Sequence, residues 1–271
     1  MILRWLHQAD LIQIGQVCNR SLESSRDAVA FLGAGQAVVA MDAAVNGGWL
    51  MLGLPDGALN AAALGLSCRM PGQPELVFHL SGSMPASALE PLGAPVAAVH
   101  PVRAFSDPAT AVAAMPATWC VGEGETEPLS RLKALFCEAG ARWAEITPAG
   151  KPAYHAATVA ASNYLVALND MARSLAQRSG LDGNDVAELL ADLQQAVIQS
   201  LRTASPEQAL TGPIERGDEH ALARLLPAAD GAGHAELFRA LGRATLSLAQ
   251  RKRGELDSDA ALARALTSRP D

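Results

Sequence analysis

The sequence predicts an α/β fold: a doubly wound parallel sheet in the first half, followed by an all-helical second half. Three observations carry this. Short apolar runs recur as far as residue 124 and are continuous rather than alternating, as strands buried on both faces of a parallel sheet should be. Helix-like stretches such as "SLESSRDAVAFLG" and "DGALNAAALGLS" lie between several of these runs, which is the alternation of a doubly wound domain. After about residue 148 the apolar residues take on helical spacing and no convincing strand follows.

Taken in order, Ile2, Leu3, Leu6 and Leu11 sit at roughly helical spacing. Ile12, Ile14 and Val17 then alternate toward Asn19-Arg20-Ser21, as a strand running into a polar turn would. A helix followed by a strand is the second half of a βαβ unit. "AVVAM" (37–41), "WLMLGLP" (49–55), "ELVFHLS" (75–81), "PVAAVHP" (95–101) and "TWCVGEG" (118–124) each read as a strand. Beyond them, "KPAYHAATVAASNYLVALNDMARSLAQRSG" has the length and pattern of one long helix, and "NDVAELLADLQQAVIQSLRTA" of another. "EHALARLLP" and "HAELFRALGRATLSLAQRKR" complete the helical half, with Leu237, Leu241, Thr245 and Leu248 as a narrow stripe suited to a helix partner. Pro148-Ala149-Gly150 punctuates the change. The expected domains are 1–148 for the sheet and 149–252 for the helices, with 253–271 as a loose tail.

The bulk numbers narrow the function. The chain of 271 residues is 49% hydrophobic and only 18% charged, a globular composition. Aromatics are 4%, so Ala, Leu and Val fill the core. A net charge of −7 argues against a nucleic-acid surface, which needs a basic stripe. It leaves room for a small anionic ligand in a local basic pocket. Cys18, Cys68, Cys120 and Cys137 form no CxxC pair, so neither a zinc site nor a disulfide framework is expected, and no metal is assigned. No segment approaches the ~20 apolar residues of a membrane span. A soluble, cytoplasmic protein without a membrane partner is the expectation.

Ligands of open parallel sheets bind outside the carboxyl ends of the strands. Those ends read Asn19-Arg20-Ser21, Pro55-Asp56-Gly57, Ser81-Gly82-Ser83 and His100-Pro101. All four carry polar or small residues where a backbone could meet a ligand, although strands also commonly stop at such turn residues. Arg20 falls where the second strand of a dinucleotide fold meets the adenosine ribose. An acidic residue there favours NAD, whereas a guanidinium beside a hydroxyl suits a 2′-phosphate, which favours NADP. Gly33-Ala34-Gly35 does not qualify as a phosphate-binding fingerprint, because a helix precedes it and a strand follows; it reads as a helix C-terminal glycine. Lys151 opens the long helix, and Tyr154, His155, Thr158 and Ser162 recur along one side, with Asn163 adjacent. Either that face is solvated or it meets substrate, where Lys, His and Tyr could each supply a proton. "LTGPIERGD" (210–218) either shapes a pocket or caps the next helix.

Three stretches then carry a resemblance: "VFHLSGSMPASALEPLGAPVAAVHPVRAFSDP", "KPAYHAATVAASNYLVAL" and "LTGPIERGD". They resemble the signatures of an uncharacterised Rossmann-like family, labelled a domain of unknown function or a group of proposed NADP oxidoreductases. The family is similar to pyrroline-5-carboxylate reductase, deazaflavin-dependent NADP reductase and the β-hydroxyacid dehydrogenases. The resemblance runs from about residue 1 to about residue 252. It implies a Rossmann-like N-terminal domain, a C-terminal domain of the 6-phosphogluconate dehydrogenase type, and a homodimer through the helical domains. It places Asn19, Arg20 and Ser21 by the adenosine end of NADP, Pro55 and Asp56 along the cofactor, and Ser81, Gly82 and His100 nearer the nicotinamide. Lys151, His155, Ser162 and Asn163 would then serve an unnamed small-molecule substrate. Relatives begin with a strand and a glycine-rich turn, and this chain starts at or inside the helix after them. One expectation is a coding start about ten to twenty residues further upstream, enough for that strand and turn. The alternative is a shortened, non-catalytic dimeric binding or scaffold protein that has lost the cofactor.

Overall fold

A computed structural model describes residues 1–39, 48–68, 70, 72–103 and 108–268. The chain divides into two compact units, Met1–Ser162 and Asn163–Asp271. In the first, helix α1 (Ile2–Gln8) leads to strand β1 (Gln16–Cys18), helix α2 (Leu22–Leu32) and strand β2 (Gln36–Val38). Strand β3 (Trp49–Leu52), helix α3 (Asp56–Ser67), strand β4 (Leu76–His79), a 3-10 turn (Ala86–Leu92) and strand β5 (Val96–Val102) follow. Helix α4 (Pro108–Ala113), strand β6 (Trp119–Gly124), helix α5 (Thr126–Glu138), strand β7 (Arg142–Glu145) and helix α6 (Lys151–Ala161) complete it.

The strands form two sheets. One is the parallel pair β1-β2, and the other runs in the order β3-β4-β5-β6-β7. Every pair is parallel except β5 with β6, so the larger sheet is mixed rather than wholly parallel. The continuous apolar runs have the reason anticipated for them. Leu76 and Phe78 join a core cluster with Trp5, Leu132 and Phe136, while Val77 joins a second one with Leu50, Leu59 and Leu89. Successive residues of β4 thus bury into opposite layers. Local signals set the helix ends. Ser21 and Ser24 close a capping box on α2, and Gly33 ends that helix at φ +80°, where a glycine costs least. Strand β7 carried no sequence signal strong enough to be read, because it is short and only partly buried. Residues 40 and 41 of the expected strand "AVVAM" lie outside the described residues.

The second unit is helical: α7 (Asn163–Gln177), α8 (Gly183–Ser200), α9 (Pro206–Ala209), α10 (Glu219–Gly231), α11 (Ala235–Arg253) and α12 (Asp259–Thr267). Three expectations are corrected. The single long helix from Lys151 is two helices, broken at Ser162 (φ −121°, ψ −70°). The boundary accordingly falls after Ser162 rather than at 148, because the first turn of α6 is anchored in the sheet by a buried lysine. Residues 259–267 are not a loose tail but a packed helix, whose Leu262 and Leu266 share a core with Leu222, Leu226 and Leu246. Arg253 pairs with Asp259 at 2.8 Å, and that hydrogen-bonded guanidinium holds the Asp259 carboxyl down to about 2. The buried face of α11 runs through Gly242, Leu246 and Ala249, one position round from the stripe read in the sequence. The loop before α10 works as a cap: Ala221 N–H donates to Asp218 Oδ1 at 2.9 Å. Lys252 and Arg253 donate to the Leu210, Ile214 and Glu215 carbonyls of the same loop.

Candidate active site

The site is built where β3, β4 and β5 end and α6 begins. β3 ends just before Pro55, and Asp56 opens α3. Its carboxylate accepts a hydrogen bond from the Ser83 hydroxyl. Burial alone would raise its pKa, but hydrogen bonds from Ser81 and Ser83 outweigh that and hold it below the usual carboxylate value. Beyond β4, the Ser81 hydroxyl oxygen accepts from Ser83 N–H at 3.1 Å and Met84 N–H at 2.9 Å. That turn carries Gly82 close against two imidazoles. A Cβ at Gly82 would stand 2.8 Å from His155 Nδ1 and 2.9 Å from His100 Cε1, so any larger residue would push both rings away.

The two rings lie 6.2 Å apart, and Tyr154 makes the third member. Its hydroxyl is 2.6 Å from His100 Nδ1. Burial pushes Tyr154 up to about 12. Burial first, then the charges of His155 and Lys151, push His100 down to about 4. Both groups are therefore neutral near pH 7. We assign the phenol as donor, which leaves the His100 proton on Nε2. Among the described residues His155 Nδ1 is buried without a hydrogen-bond partner, and it faces the Gly82 turn.

Beneath this layer lies a sealed pair. Lys151 Nζ is 3.3 Å from Glu123 Oε2, with side-chain exposures of 3% and 2%. The same oxygen accepts from Ala86 N–H at 2.9 Å. One carboxylate on β6 thus ties the start of α6 to the loop after β4. Burial lowers the Lys151 pKa more than Glu123 and Asp56 raise it. His79 is buried beside them. Its Nδ1 accepts from Ser81 N–H at 3.1 Å, so Nε2 carries the proton and donates to the Pro85 carbonyl at 3.1 Å. Desolvation pushes its pKa down, and it is held as a neutral, fixed tautomer.

Asp56, Ser81, Gly82, His100 and His155 are therefore gathered, with Pro55 as the N-cap residue of α3. Lys151 is with them but underneath, its ammonium turned to Glu123 rather than outward. Ser162 ends α6, its hydroxyl donating to the Thr158 carbonyl at 2.7 Å. Eleven positions of helix separate it from Lys151, about 16 Å of rise, and Asn163 begins the other unit. Asn19, Arg20 and Ser21 follow β1. Asn19 Nδ2 donates to the Ser24 carbonyl, and the Ser21 hydroxyl accepts from Ser24 N–H, so both are engaged in the turn and cap of α2. Arg20 is exposed, with no ion pair among the described residues. Glu123 and His79 escaped the sequence reading. Their signal was a charged and an ionisable residue inside the apolar runs "WCVGEG" and "LVFHL", where burial demands partners.

The donor set fits a nicotinamide dinucleotide at two places. The guanidinium of Arg20, exposed and without an ion pair among the described residues, follows β1, and hydroxyl, carboxylate and imidazole groups lie at the ends of β3 to β5.

The fold is an α/β unit with a mostly parallel sheet and, in the second unit, helices alone. Residues 118–245 match the family model described as Domain of unknown function (DUF2520); the matched span includes Glu123, Lys151, Tyr154 and His155. Among solved structures, the chain is similar to protein TM1727 from Thermotoga maritima, with 22% identity over 93% of this chain and 96% of that one and a TM-score of 0.72. It is similar to BF3122 from Bacteroides fragilis, a proposed NADP oxidoreductase, with 20% identity, coverage of 91% and 93%, and a TM-score of 0.72. It is also similar to an imine reductase from Myxococcus stipitatus solved with NADP+, with 12% identity, coverage of 98% and 96%, and a TM-score of 0.64. At these identities the likeness establishes the fold. No curated protein matches the chain. Among the described residues, no helix is long and apolar enough to cross a membrane.

Proposed function

We propose that the protein is an NADP-dependent oxidoreductase that moves a hydride to or from a small substrate. The observation that supports this best is the convergence of Asp56, Ser81, Gly82, His100, Tyr154 and His155 at the carboxyl ends of β3, β4 and β5. The nicotinamide would supply the hydride. The chain's own groups would handle the accompanying proton. His155 is the proton carrier in this reading, since its buried Nδ1 lacks a hydrogen-bond partner among the described residues and stands against the Gly82 turn. The Tyr154–His100 pair stays neutral and offers a hydrogen bond without adding charge. Lys151 holds the start of α6 in place through Glu123. NADP is favoured over NAD because Arg20 is exposed and lacks an ion pair among the described residues. In this reading the enzyme is a cytoplasmic homodimer. Leu189, Leu193 and Val197 of α8 and its C-cap residue Leu201 support the dimer, as they recur every four residues and all stand exposed.

Titration with NADPH and NADH, followed by cofactor fluorescence, tests the reading. NADPH is expected to bind, and Arg20→Ala to weaken it by about ten- to a hundred-fold while NADH is unaffected. No binding of either cofactor at millimolar concentration overturns it. A non-catalytic scaffold is the second reading, since the cation of Lys151 is turned inward to Glu123 and spent on holding the fold. It predicts that Asp56→Asn and His155→Ala leave cellular function intact.

A further inference from the structure

Gly82 lies in the turn after β4, and its backbone does not require a glycine. Its φ falls outside the left-handed region, so its conformation is open to other residues. What excludes a side chain is the space. A Cβ there would meet His155 Nδ1 at 2.8 Å and His100 Nε2 at 3.0 Å. Two ring nitrogens that flank one point so closely stand near enough for a single polar atom to reach both at ordinary hydrogen-bond length. Neither has a protein partner among the described residues. His155 Nδ1 is buried without one, and the hydrogen bond of the His100 ring is made by its other nitrogen.

The protons on these nitrogens decide which atom fits. The Tyr154 hydroxyl stands 2.6 Å from His100 Nδ1. A phenol is a far stronger acid than a neutral imidazole N–H, so the phenol donates and Nδ1 accepts. Nε2 then holds the ring proton and presents it as a fixed donor. Burial keeps the ring neutral, with its pKa pushed down to about 4. His155, the proton carrier of the oxidoreductase reading, presents a second donor when the proton sits on Nδ1. Two donors converging on one place suit an atom with two free lone pairs. A carbonyl oxygen has them, and it gains negative charge as hydride reaches its carbon. An iminium nitrogen has none, and its own N–H would face His100 donor against donor. Asp56 carries the charge that would attract an iminium, but its carboxylate is engaged by Ser83 and Ser81.

We propose that His100 Nε2–H and His155 Nδ1 form a cradle for one oxygen atom beside Gly82, with Tyr154 positioning the first donor, and that the substrate couple is a ketone or aldehyde and its alcohol rather than an imine and its amine. The substrate class rests on the oxidoreductase reading. In the reducing direction the substrate carbon gains the hydride that the nicotinamide supplies. The π pair of the C=O bond moves to oxygen, and oxygen takes the proton from His155. The substrate gains two electrons and the nicotinamide loses two. The alcohol oxygen still accepts from His100, and its new O–H donates to His155 Nδ1.

Nitrogen NMR of the histidine rings in the full chain, without cofactor, tests the cradle. Near neutral pH His100 is expected to show a protonated Nε2 and a bare Nδ1, and Tyr154→Phe to spread the proton over both nitrogens. A proton on His100 Nδ1 in the parent overturns the proposal, as does an unchanged tautomer in Tyr154→Phe. NADPH oxidation tests the substrate class, with pentanal, cyclopentanone and cyclohexanone set against the cyclic imines pyrroline and tetrahydropyridine. The best carbonyl compound is expected to exceed both imines in kcat/KM, and His100→Leu to lower its kcat about 100- to 1000-fold at nearly constant KM. An imine reduced as fast or faster overturns the proposal, and so does a chain that binds NADPH and reduces neither series. A His100→Leu chain that loses NADPH affinity but keeps its kcat also overturns it, since the oxygen in the cradle is then the cofactor's own carboxamide. A chain that binds no NADPH overturns the oxidoreductase reading and the substrate couple with it, while the ring protons report on the cradle separately.

Discussion

Glu123 and Lys151 lie almost wholly out of water, and among the described residues each is the other's one neutralising charge within hydrogen-bond reach. Removing one partner of such a pair leaves an ion without compensation. Glu123→Gln is expected to cost about 3–5 kcal/mol of stability, with most of it recovered in the Glu123→Gln/Lys151→Met double variant. Urea denaturation measures both; a single variant as stable as the parent would contradict the buried pairing. His100 makes a pH prediction. Its folded value of about 4 lies below the ordinary 6.5, so the folded state holds the neutral imidazole. The stability this gives is present above about pH 6.5 and is lost as the pH falls toward 4, where the unfolded chain takes up the proton first. His79 shifts in the same direction. The melting temperature should therefore drop across that interval, and His100→Gln should flatten the drop in part. An unchanged slope would show that His100 is not desolvated.

Helices and strands show a different division. The start of α6 is set by the turn Pro148–Gly150, where the Thr147 hydroxyl accepts from Gly150 N–H at 3.1 Å, and such punctuation is visible in a sequence. The break at Ser162 is not, because Ala161, Ser162 and Asn163 present no proline or glycine to mark it. β7 hid for another reason. A short strand beside only β6 needs few apolar residues, and pattern reading counts those. The exposed row on α8 carries a prediction at this scale. Leu193→Glu with Val197→Lys should shift sedimentation of the protein from dimer toward monomer while leaving the melt of the first unit nearly unchanged. A parent chain that sediments as a monomer would remove the dimer from the proposal.

For the molecule as a whole, the last helix matters more than its position suggests. α12 supplies Leu262 and Leu266 to the core of the helical unit, and Asp259 to Arg253. Leu266→Ala should cost about 2–5 kcal/mol. Ending the chain after Arg253 should expose Leu222, Leu226 and Leu246, raise binding of a hydrophobic dye and lower the melting temperature. Full stability without residues 254–271 would return that segment to the loose tail its composition suggested.

The sequence by itself determined the layered α/β first half, the helical second half and most strand positions, because burial on both faces of a sheet writes continuous apolar runs into the chain. It also marked the strand ends near Asp56, Ser81 and His100, since strands stop at a narrow set of polar and small turn residues. Only the tertiary structure decided that Lys151 turns inward to Glu123, that His79 is a locked neutral tautomer, that Ser162 ends α6 eleven positions beyond Lys151, and that β1 and β3 do not pair. Those facts depend on which elements meet in space, and pairing between β6 and α6, 28 residues apart, leaves no local periodicity to read.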